Sequence, residues 1–206
     1  KEVMAKVYGS YSQVGNDLAS KDDITMGDGA SADFLRCFFN LQCLTTEEAI
    51  CTWTDSGIPD LNFMNWSSNN TFISGLYYRA LYQIALVNEF LRESTESKVS
   101  GRGITGNDAT EIKYFRAEAR FLRAFQYWVL MDVYGNPPFV DENTPIGKFL
   151  PSQIKRTDLF KYIESELLEV QDLLKAPHSN EYGRADQAAC WALMARMYLN
   201  AEVYTG

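Results

Sequence analysis

The stretch from residue 108 to residue 138 constrains the fold most, because its apolar spacing predicts one helix of about 25 residues, on the order of 37 Å long. Asp108 and Glu111 fit a capping box at its start, in which each side chain accepts a hydrogen bond from a backbone N–H group. Gly135 and Pro137 predict its end, since glycine can adopt a left-handed conformation and proline cannot continue the helical hydrogen bonds. Both ends of this helix are therefore predicted from the sequence.

Two apolar stripes run along the predicted helix at helical spacing. A helix that is apolar on two faces lies between two neighbouring elements, and its alanines allow close approach while its aromatic side chains fill the gaps. This arrangement is typical of stacked helical hairpins, so the sequence predicts an all-α fold with tetratricopeptide-like hairpins. The first stripe comprises Ile112, Phe115, Ala119, Leu122, Gln126 and Val129, and the second comprises Phe121, Ala124, Phe125, Trp128 and Met131.

Apolar periodicity predicts three more long helices, over residues 71–93, 158–174 and 186–203. Thr157 is the predicted N-cap of the second of these, and Pro177 follows its end. Together with the long helix they form two hairpins. Corresponding segments lie about 75 to 85 residues apart, much more than in a simple tetratricopeptide array, so we expect large insertions between the helices.

The chain is predicted to be one region, residues 1–206, with three parts. Residues 1–17 form a leading amphipathic helix, residues 18–70 form a loop-rich insertion, and residues 71–206 hold the two hairpins. Within the insertion, the sequence predicts a continued helical run only at residues 46–51. Two hairpins are fewer than the three repeats that a solenoid usually needs, so we expect an N-terminal portion of a longer protein, or a partner surface.

Charge and composition exclude several classes of function. The formal net charge is −8, which disfavours nucleic acid and anionic membrane surfaces as partners because both would be repelled. No apolar run is long enough to span a bilayer, and the first residues lack the features of a signal peptide, so we expect either a cytoplasmic protein or a leader already removed. We expect neither a zinc site nor a cofactor, because the cysteines have no C-x-x-C spacing and only one histidine is present. The cysteines are Cys37, Cys43, Cys51 and Cys190.

Two motifs that suggest enzymes have simpler interpretations. Gly101, Gly103 and Gly106 spell G-x-G-x-x-G, but a dinucleotide site needs a preceding strand and none is predicted here. We interpret these glycines as a loop between helices. His178 lies in a polar turn without a second histidine or a nucleophile nearby in the sequence, so we expect it in a surface loop.

The insertion holds the most suggestive candidate site, around Trp53 and Asp55. An aromatic plane beside short hydrogen-bonding side chains suits a sugar, whose C–H faces stack on indole while its hydroxyls bond to polar groups. A tryptophan buried as a loop anchor explains the same pattern. A pair of catalytic carboxylates, as in a glycoside hydrolase, also stays open, although helix and turn capping explains these acidic residues as well. They are Asp28, Asp33, Glu47, Glu48 and Asp55.

Three motifs in order resemble the SusD/RagB family, the surface glycan-binding lipoproteins of Bacteroidetes. Residues 120–139, RFLRAFQYWVLMDVYGNPPF, resemble the family's signature helix, R-A-x-x-Y-x-x-L-x-x-x-Y/F-G-x-x-P. Residues 182–206 are similar to its next signature, and residues 40–62 to its early loop. The resemblance covers essentially the whole chain and implies the N-terminal two-fifths or so of a family member.

The resemblance implies a function outside catalysis. Family members bind oligosaccharide or polysaccharide at the cell surface, anchored to the outer membrane by a lipidated cysteine that this chain lacks. They deliver the glycan to a SusC-like TonB-dependent transporter. The implied partners are therefore a glycan and that transporter, with an α-glucan such as starch as the specific candidate.

The same resemblance implies four glycan-binding positions. A starch site in this family combines an aspartate, an arginine eight residues later and two tryptophans two residues apart. These positions correspond to Asp28, Arg36, Cys51 and Trp53. Cys51 departs from the family pattern, because an aromatic ring is expected there, and Asp55 or Ser56 takes the place of a hydrogen-bonding asparagine. The predicted glycan-binding residues are thus Trp53, Asp28, Arg36 and Asp55.

Two alternatives to glycan binding stay open at this stage. One is a helical-repeat scaffold whose surface serves protein docking only. The other is a glycoside hydrolase, which would need two carboxylates on either side of one glycosidic bond.

Overall fold

The computed structural model describes residues 1–13, 23–24 and 33–206, and within these residues the protein is all-α, as predicted. The only β-type pairing among them is an isolated bridge between Pro138 and Gln153. None of the helices described here is long and apolar enough to cross a membrane. The helices are α1 (Glu2–Gly9), α2 (Phe34–Cys43), α3 (Ile58–Asn62), α4 (Thr71–Glu93), α5 (Glu96–Gly101), α6 (Gly106–Tyr134), α7 (Arg156–Val170), α8 (Gln187–Leu199) and α9 (Ala201–Thr205).

The long predicted helix is α6, and its middle is buried on nearly every side. From Ala117 to Met131, all but two of the side chains are buried, which agrees with the prediction of apolar contacts on two faces. Its end was predicted correctly, because Gly135 follows it with φ +76° and donates its N–H to the carbonyl of Met131. The predicted start of this helix was wrong. The helix begins at Gly106 after Thr105, and no side chain caps it, so Asp108 lies in the first turn.

The other helices, apart from α4, begin or end at residues different from those predicted. The leading helix was predicted over residues 1–17, but α1 ends at Gly9 and residues 10–13 are not helical. The bounds of α4 agree with the sequence prediction. The helix α7 begins after Lys155, so the predicted N-cap, Thr157, is already inside it. The predicted last helix is interrupted at Asn200, which ends α8 and precedes α9. The presence of a helix was therefore easier to predict than its first and last residues, because several side chains near each start could serve as caps.

The chain divides into two compact units, one formed by Ala5–Tyr82 and the other by Lys1–Met4 with Gln83–Gly206. The boundary falls inside α4. The predicted division at residues 17 and 70 stays a prediction.

The core of the larger unit contains charged groups as well as apolar ones. Arg123 of α6 is almost fully buried and donates to Asn88 of α4 at 2.8 Å and to Glu166 of α7 at 3.0 Å. It also donates to Glu142 in the α6–α7 connection. Arg120 donates to both carboxylate oxygens of Glu166, at 2.6 and 3.2 Å. These bonds link α4, α7 and the α6–α7 connection to α6. They also pair the guanidinium groups with carboxylates, which buried charges require.

A second buried ion pair holds the segment before α8. Glu118 of α6 is 1% exposed and accepts hydrogen bonds from Arg184 at 2.5 and 3.0 Å and from Asn180 at 3.2 Å. Arg184 also lies over the ring of Phe115, 4.5 Å from its centroid. The connection between α7 and α8 is therefore fixed to the middle of α6.

The smaller unit contains a helix that the sequence prediction missed. Residues 34–43 form α2, and Asp33 is its N-cap, accepting a hydrogen bond from the backbone of Arg36 at 2.7 Å. The predicted helical run at residues 46–51 is not helical in the structure. The sequence of α2 has three phenylalanines and two cysteines within ten residues, so its propensity for helix is low and its cap carries the signal.

Candidate functional site

The candidate site is built on residues 51–57, a non-helical segment between α2 and α3. One end is fixed by Asn62, the last residue of α3. Its side-chain amide donates to the carbonyl of Cys51 at 2.7 Å, and its oxygen accepts from the N–H of Cys51 at 3.3 Å. Both contacts use the backbone of Cys51, so they do not depend on the side chain at this position.

Residues at the start of α4 fix the other end of the segment. Thr71 donates its hydroxyl to the carbonyl of Ser56 at 3.1 Å, and the buried Asn70 donates its amide to the carbonyl of Gly57 at 3.0 Å. Asn70 also accepts a hydrogen bond from the N–H of Phe72 at 3.0 Å, so it caps α4 as well.

Gly57 is required at this turn for two reasons. Its φ is +90°, a conformation that other residues rarely adopt. A Cβ atom here would also lie 3.0 Å from side-chain atoms of both Asn70 and Thr71. Segment 51–57 is therefore braced at both ends by side-chain hydrogen bonds and a glycine turn.

Trp53 lies on the braced segment with 64% of its surface exposed. It is therefore not the buried loop anchor that the sequence left open. An exposed indole on a fixed backbone loses little conformational entropy when a ligand stacks on it. Its role in binding stays a prediction.

Arg36 and Asp55, two further predicted residues, form an ion pair at 3.4 Å. Arg36 comes from α2 and also lies over the ring of Phe72, with its guanidinium carbon 5.4 Å from the centroid. The side chain of Asp55 is 46% exposed and that of Arg36 is 26% exposed. Because an exposed ion pair adds little stability, these groups can turn to a ligand's hydroxyls at small cost.

The structure brings three of the four predicted residues into one unit. Arg36 and Asp55 are in contact, and Trp53 lies two residues before Asp55 on the same segment. Asp28, the fourth, lies outside the described residues. Of the other candidate carboxylates, Asp33 is accounted for as the N-cap of α2.

The supporting residues Asn62 and Asn70 were not predicted. Their only sequence signal is an asparagine at the end of α3 and another just before α4, positions where asparagine often caps helices and turns. Several exposed apolar side chains of the same unit were also not assigned to a site. They are Leu35, Phe39, Ile50, Phe63, Met64 and Trp66.

Metal ligands and reactive thiols would indicate other kinds of site among the described residues. Among the described residues, no group of three His, Cys, Asp or Glu side chains could hold a metal ion. Burial raises the pKa of Cys37 to about 12 and that of Cys190 to about 11, so neither thiol is an activated nucleophile at neutral pH. His178 lies exposed in a turn, as predicted.

Comparisons with known proteins all match SusD-like proteins. A family model described as SusD-like, starch-binding and associating with the outer membrane, matches residues 3–199. The starch-binding protein SusD of Bacteroides thetaiotaomicron is 38% identical over 185 residues, which are 89% of this chain and 31% of that protein. The chain therefore spans about a third of the length of this curated relative.

Solved structures have the same fold. A SusD-like carbohydrate-binding protein from Bacteroides fragilis matches 99% of this chain and 37% of its own, with a TM-score of 0.67 at 19% identity. Surface glycan-binding protein A from Bacteroides thetaiotaomicron, solved in complex with laminarihexaose, matches 98% of this chain and 39% of its own, with a TM-score of 0.62 at 17% identity. At these identities the structures support the fold.

Proposed function

The chain belongs to the SusD-like family, and we propose that it forms part of a protein that binds oligosaccharide or polysaccharide at the outer-membrane surface. The observation that carries this proposal is the exposed Trp53 on a braced segment beside the Arg36–Asp55 pair. Stacking on indole provides affinity for the apolar face of a sugar, and the charged pair provides bonds for its hydroxyls. Asp28 is proposed as a further hydroxyl ligand.

An α-glucan such as starch is the specific ligand we propose to test first, because the 38% identical relative is described as starch-binding. One feature argues for weaker stacking than two tryptophans would give. Cys51 stands where the resemblance predicts a second aromatic ring, so Trp53 would supply the only stacking plane in segment 51–57.

We further propose that the protein does not cleave its ligand. A glycoside hydrolase needs two carboxylates at a defined separation on either side of the bond. Asp55, the described carboxylate nearest to Trp53 in the chain, is paired with Arg36 and suits ligand binding. Incubation with the bound glycan should release no reducing ends. Their appearance would favour the alternative that the protein is a glycoside hydrolase.

The proposed place of this binding is the cell surface, where the protein would pass glycan to a SusC-like TonB-dependent transporter. A lipid anchor on the mature protein would hold it at the outer membrane. The support for both is family membership, whose description includes association with the outer membrane. Co-purification of the transporter with the tagged protein from membranes tests the partnership.

Isothermal titration against a panel of α-glucans, β-glucans and fructans tests the glycan proposal. We expect one class to bind, and Trp53→Ala to weaken that binding by about tenfold to a hundredfold, since stacking is worth roughly 1–3 kcal/mol. Trp191→Ala is the matched control, because Trp191 on α8 is also an exposed tryptophan, at 48%. It should leave binding unchanged.

Two results would contradict this assignment. Equal affinities of wild type and Trp53→Ala would remove the proposed stacking site. A stable complex with the transporter, together with no affinity for any glycan, would favour the scaffold that serves docking only.

A further inference from the structure

The larger unit contains a cavity of about 290 Å³ beside α5 and the first turns of α6. Its walls are mostly apolar and include Val99, Ile104, Ala109 and Ile112. This volume lies near the small end of the range for ligand sites. No aromatic ring is among the described residues that line it, so it lacks the stacking surface expected of a sugar site.

Arg116 of α6 places a positive charge against this cavity. Its Nη1 donates to the carbonyl of Leu91 at 2.7 Å and to the hydroxyl of Ser94 at 2.9 Å, which fixes the guanidinium. Within the described part of the chain, no carboxylate forms an ion pair with it. Burial lowers the pKa of Arg116, while the charges of Glu142 and Glu96 act in the opposite direction. The guanidinium nevertheless stays protonated at neutral pH.

A partly buried guanidinium without a counter-ion is unusual, because removing a charge from water costs free energy unless it is paired. The neighbouring arginines of α6 differ in this respect, since Arg120 and Arg123 both have glutamate partners. On the exposed side of the cavity, Lys113 and Glu96 form a 3.4 Å pair whose side chains are 69% and 88% exposed. Such a pair is weak and can open for a ligand.

We propose that this cavity binds a small amphipathic carboxylate. Its short alkyl chain would pack against Val99, Ile104 and Ile112, and its carboxylate would accept hydrogen bonds from Arg116. Because Nη1 already donates to Leu91 and Ser94, the two parallel N–H groups for the carboxylate oxygens would be those of Nε and Nη2. This inference is independent of the glycan site, since it uses residues of the other unit.

Hexanoate is the probe that tests the inference, by isothermal titration and by chemical-shift changes of the cavity residues. We expect a Kd on the order of 1 mM, as for a ligand of few atoms. Hexanol, which has the same chain without the charge, should bind at least about tenfold more weakly. Arg116→Gln should weaken hexanoate binding to a similar degree and leave hexanol binding unchanged.

Two further variants distinguish binding inside the cavity from a general effect of positive charge. Ala109→Phe fills the cavity and should abolish binding of both probes, with circular dichroism showing that the protein is folded. Arg156→Gln is the matched control, because Arg156 does not line the cavity, and it should bind hexanoate as wild type does. Absence of hexanoate binding, hexanol binding equal to that of hexanoate, or full binding by Ala109→Phe would each overturn the inference.

Discussion

At the scale of single residues, Cys51 and Trp53 differ in what the fold requires of their side chains. Cys51 is fixed through its backbone N–H and carbonyl, both bonded to Asn62. Trp53 is exposed. The hydrogen bonds described at the two ends of segment 51–57 use neither side chain, so we expect changes at both positions to alter ligand contacts with little effect on folding.

Cys51→Trp should therefore raise α-glucan affinity. The new indole adds a second aromatic plane two residues from Trp53, and one stacked ring contributes roughly 1 kcal/mol or more. We expect about fivefold to tenfold tighter binding in isothermal titration. Cys51→Ser is the control and should bind as wild type does. An affinity of Cys51→Trp no higher than that of Cys51→Ser would show that a ligand does not reach this position.

The pairing of Arg36 with Asp55 illustrates what a sequence can and cannot predict about a site. Each residue was predicted separately, Arg36 from its family position and Asp55 from its place beside Trp53. Their contact joins residues 19 positions apart across a loop. Loop geometry here depends on Asn62 and Asn70, whose hydrogen bonds span 11 and 13 positions, and local sequence patterns do not encode such contacts.

At the scale of elements, the start of α8 shows how one carboxylate fixes two segments. Asp186 accepts a hydrogen bond from the N–H of Ala189, as an N-cap, and another from the N–H of His178 in the preceding turn. Burial acts to raise the pKa of Asp186, but the backbone N–H groups that it accepts from outweigh burial and hold that pKa below its usual 3.8.

This lowered pKa predicts how the contribution of Asp186 depends on pH. Because the pKa of the folded state is below that of the unfolded state, the stabilisation is present above about pH 4 and is lost as pH falls further. Asp186→Ala should lower the free energy of unfolding by about 1 kcal/mol at neutral pH, and by less near pH 3. Urea denaturation at the two pH values measures this.

Asp186→Asn distinguishes the contribution of the N-cap hydrogen bond from that of the negative charge. Asparagine still accepts the N-cap hydrogen bond, so the variant should keep most of the stability at neutral pH and lose the pH dependence. A cost for Asp186→Ala that is the same at both pH values would contradict the electrostatic part of the argument.

Helix prediction succeeded where apolar periodicity was long and failed where capping residues competed. The bounds of α4 and the end of α6 were predicted correctly, because a long stripe or a Gly-x-Pro sequence marks them. The predicted start of α6 was misplaced to Asp108, since a capping-box pattern also occurs within the first turn of a helix. The ten-residue α2 was missed because it is short and its neighbours in sequence are polar.

At the scale of the whole molecule, the larger unit depends on buried charges that apolar patterning does not reveal. Glu118 and Arg123 lie within the buried part of α6, and each is at most 2% exposed. The sequence predicted the apolar stripes of this helix and assigned no partner to its charged residues. Their partners come from α4, α7 and two connections, so only the tertiary structure defines them.

Arg123→Met should therefore destabilise the larger unit strongly. Removing this guanidinium takes away the donor to Glu142 and to Oδ1 of Asn88 and weakens the pairing of Glu166, a loss of roughly 3 kcal/mol. Chemical denaturation followed by far-ultraviolet circular dichroism measures the change. Arg102→Met is the matched control, since Arg102 pairs with Glu93 on the surface, and it should cost much less. Equal losses in the two variants would contradict the importance of burial.

The bracing of segment 51–57 has a consequence for how ligand preference can diversify within this fold. Asn62, Asn70 and Thr71 hold the segment through carbonyl and N–H groups that every residue type except proline provides. The side chains at positions 51 to 55 are thus exchangeable, while the supporting residues and Gly57 are not. A library randomised at those five positions should give folded proteins of altered ligand preference, whereas randomising the supports should mainly give unfolded ones.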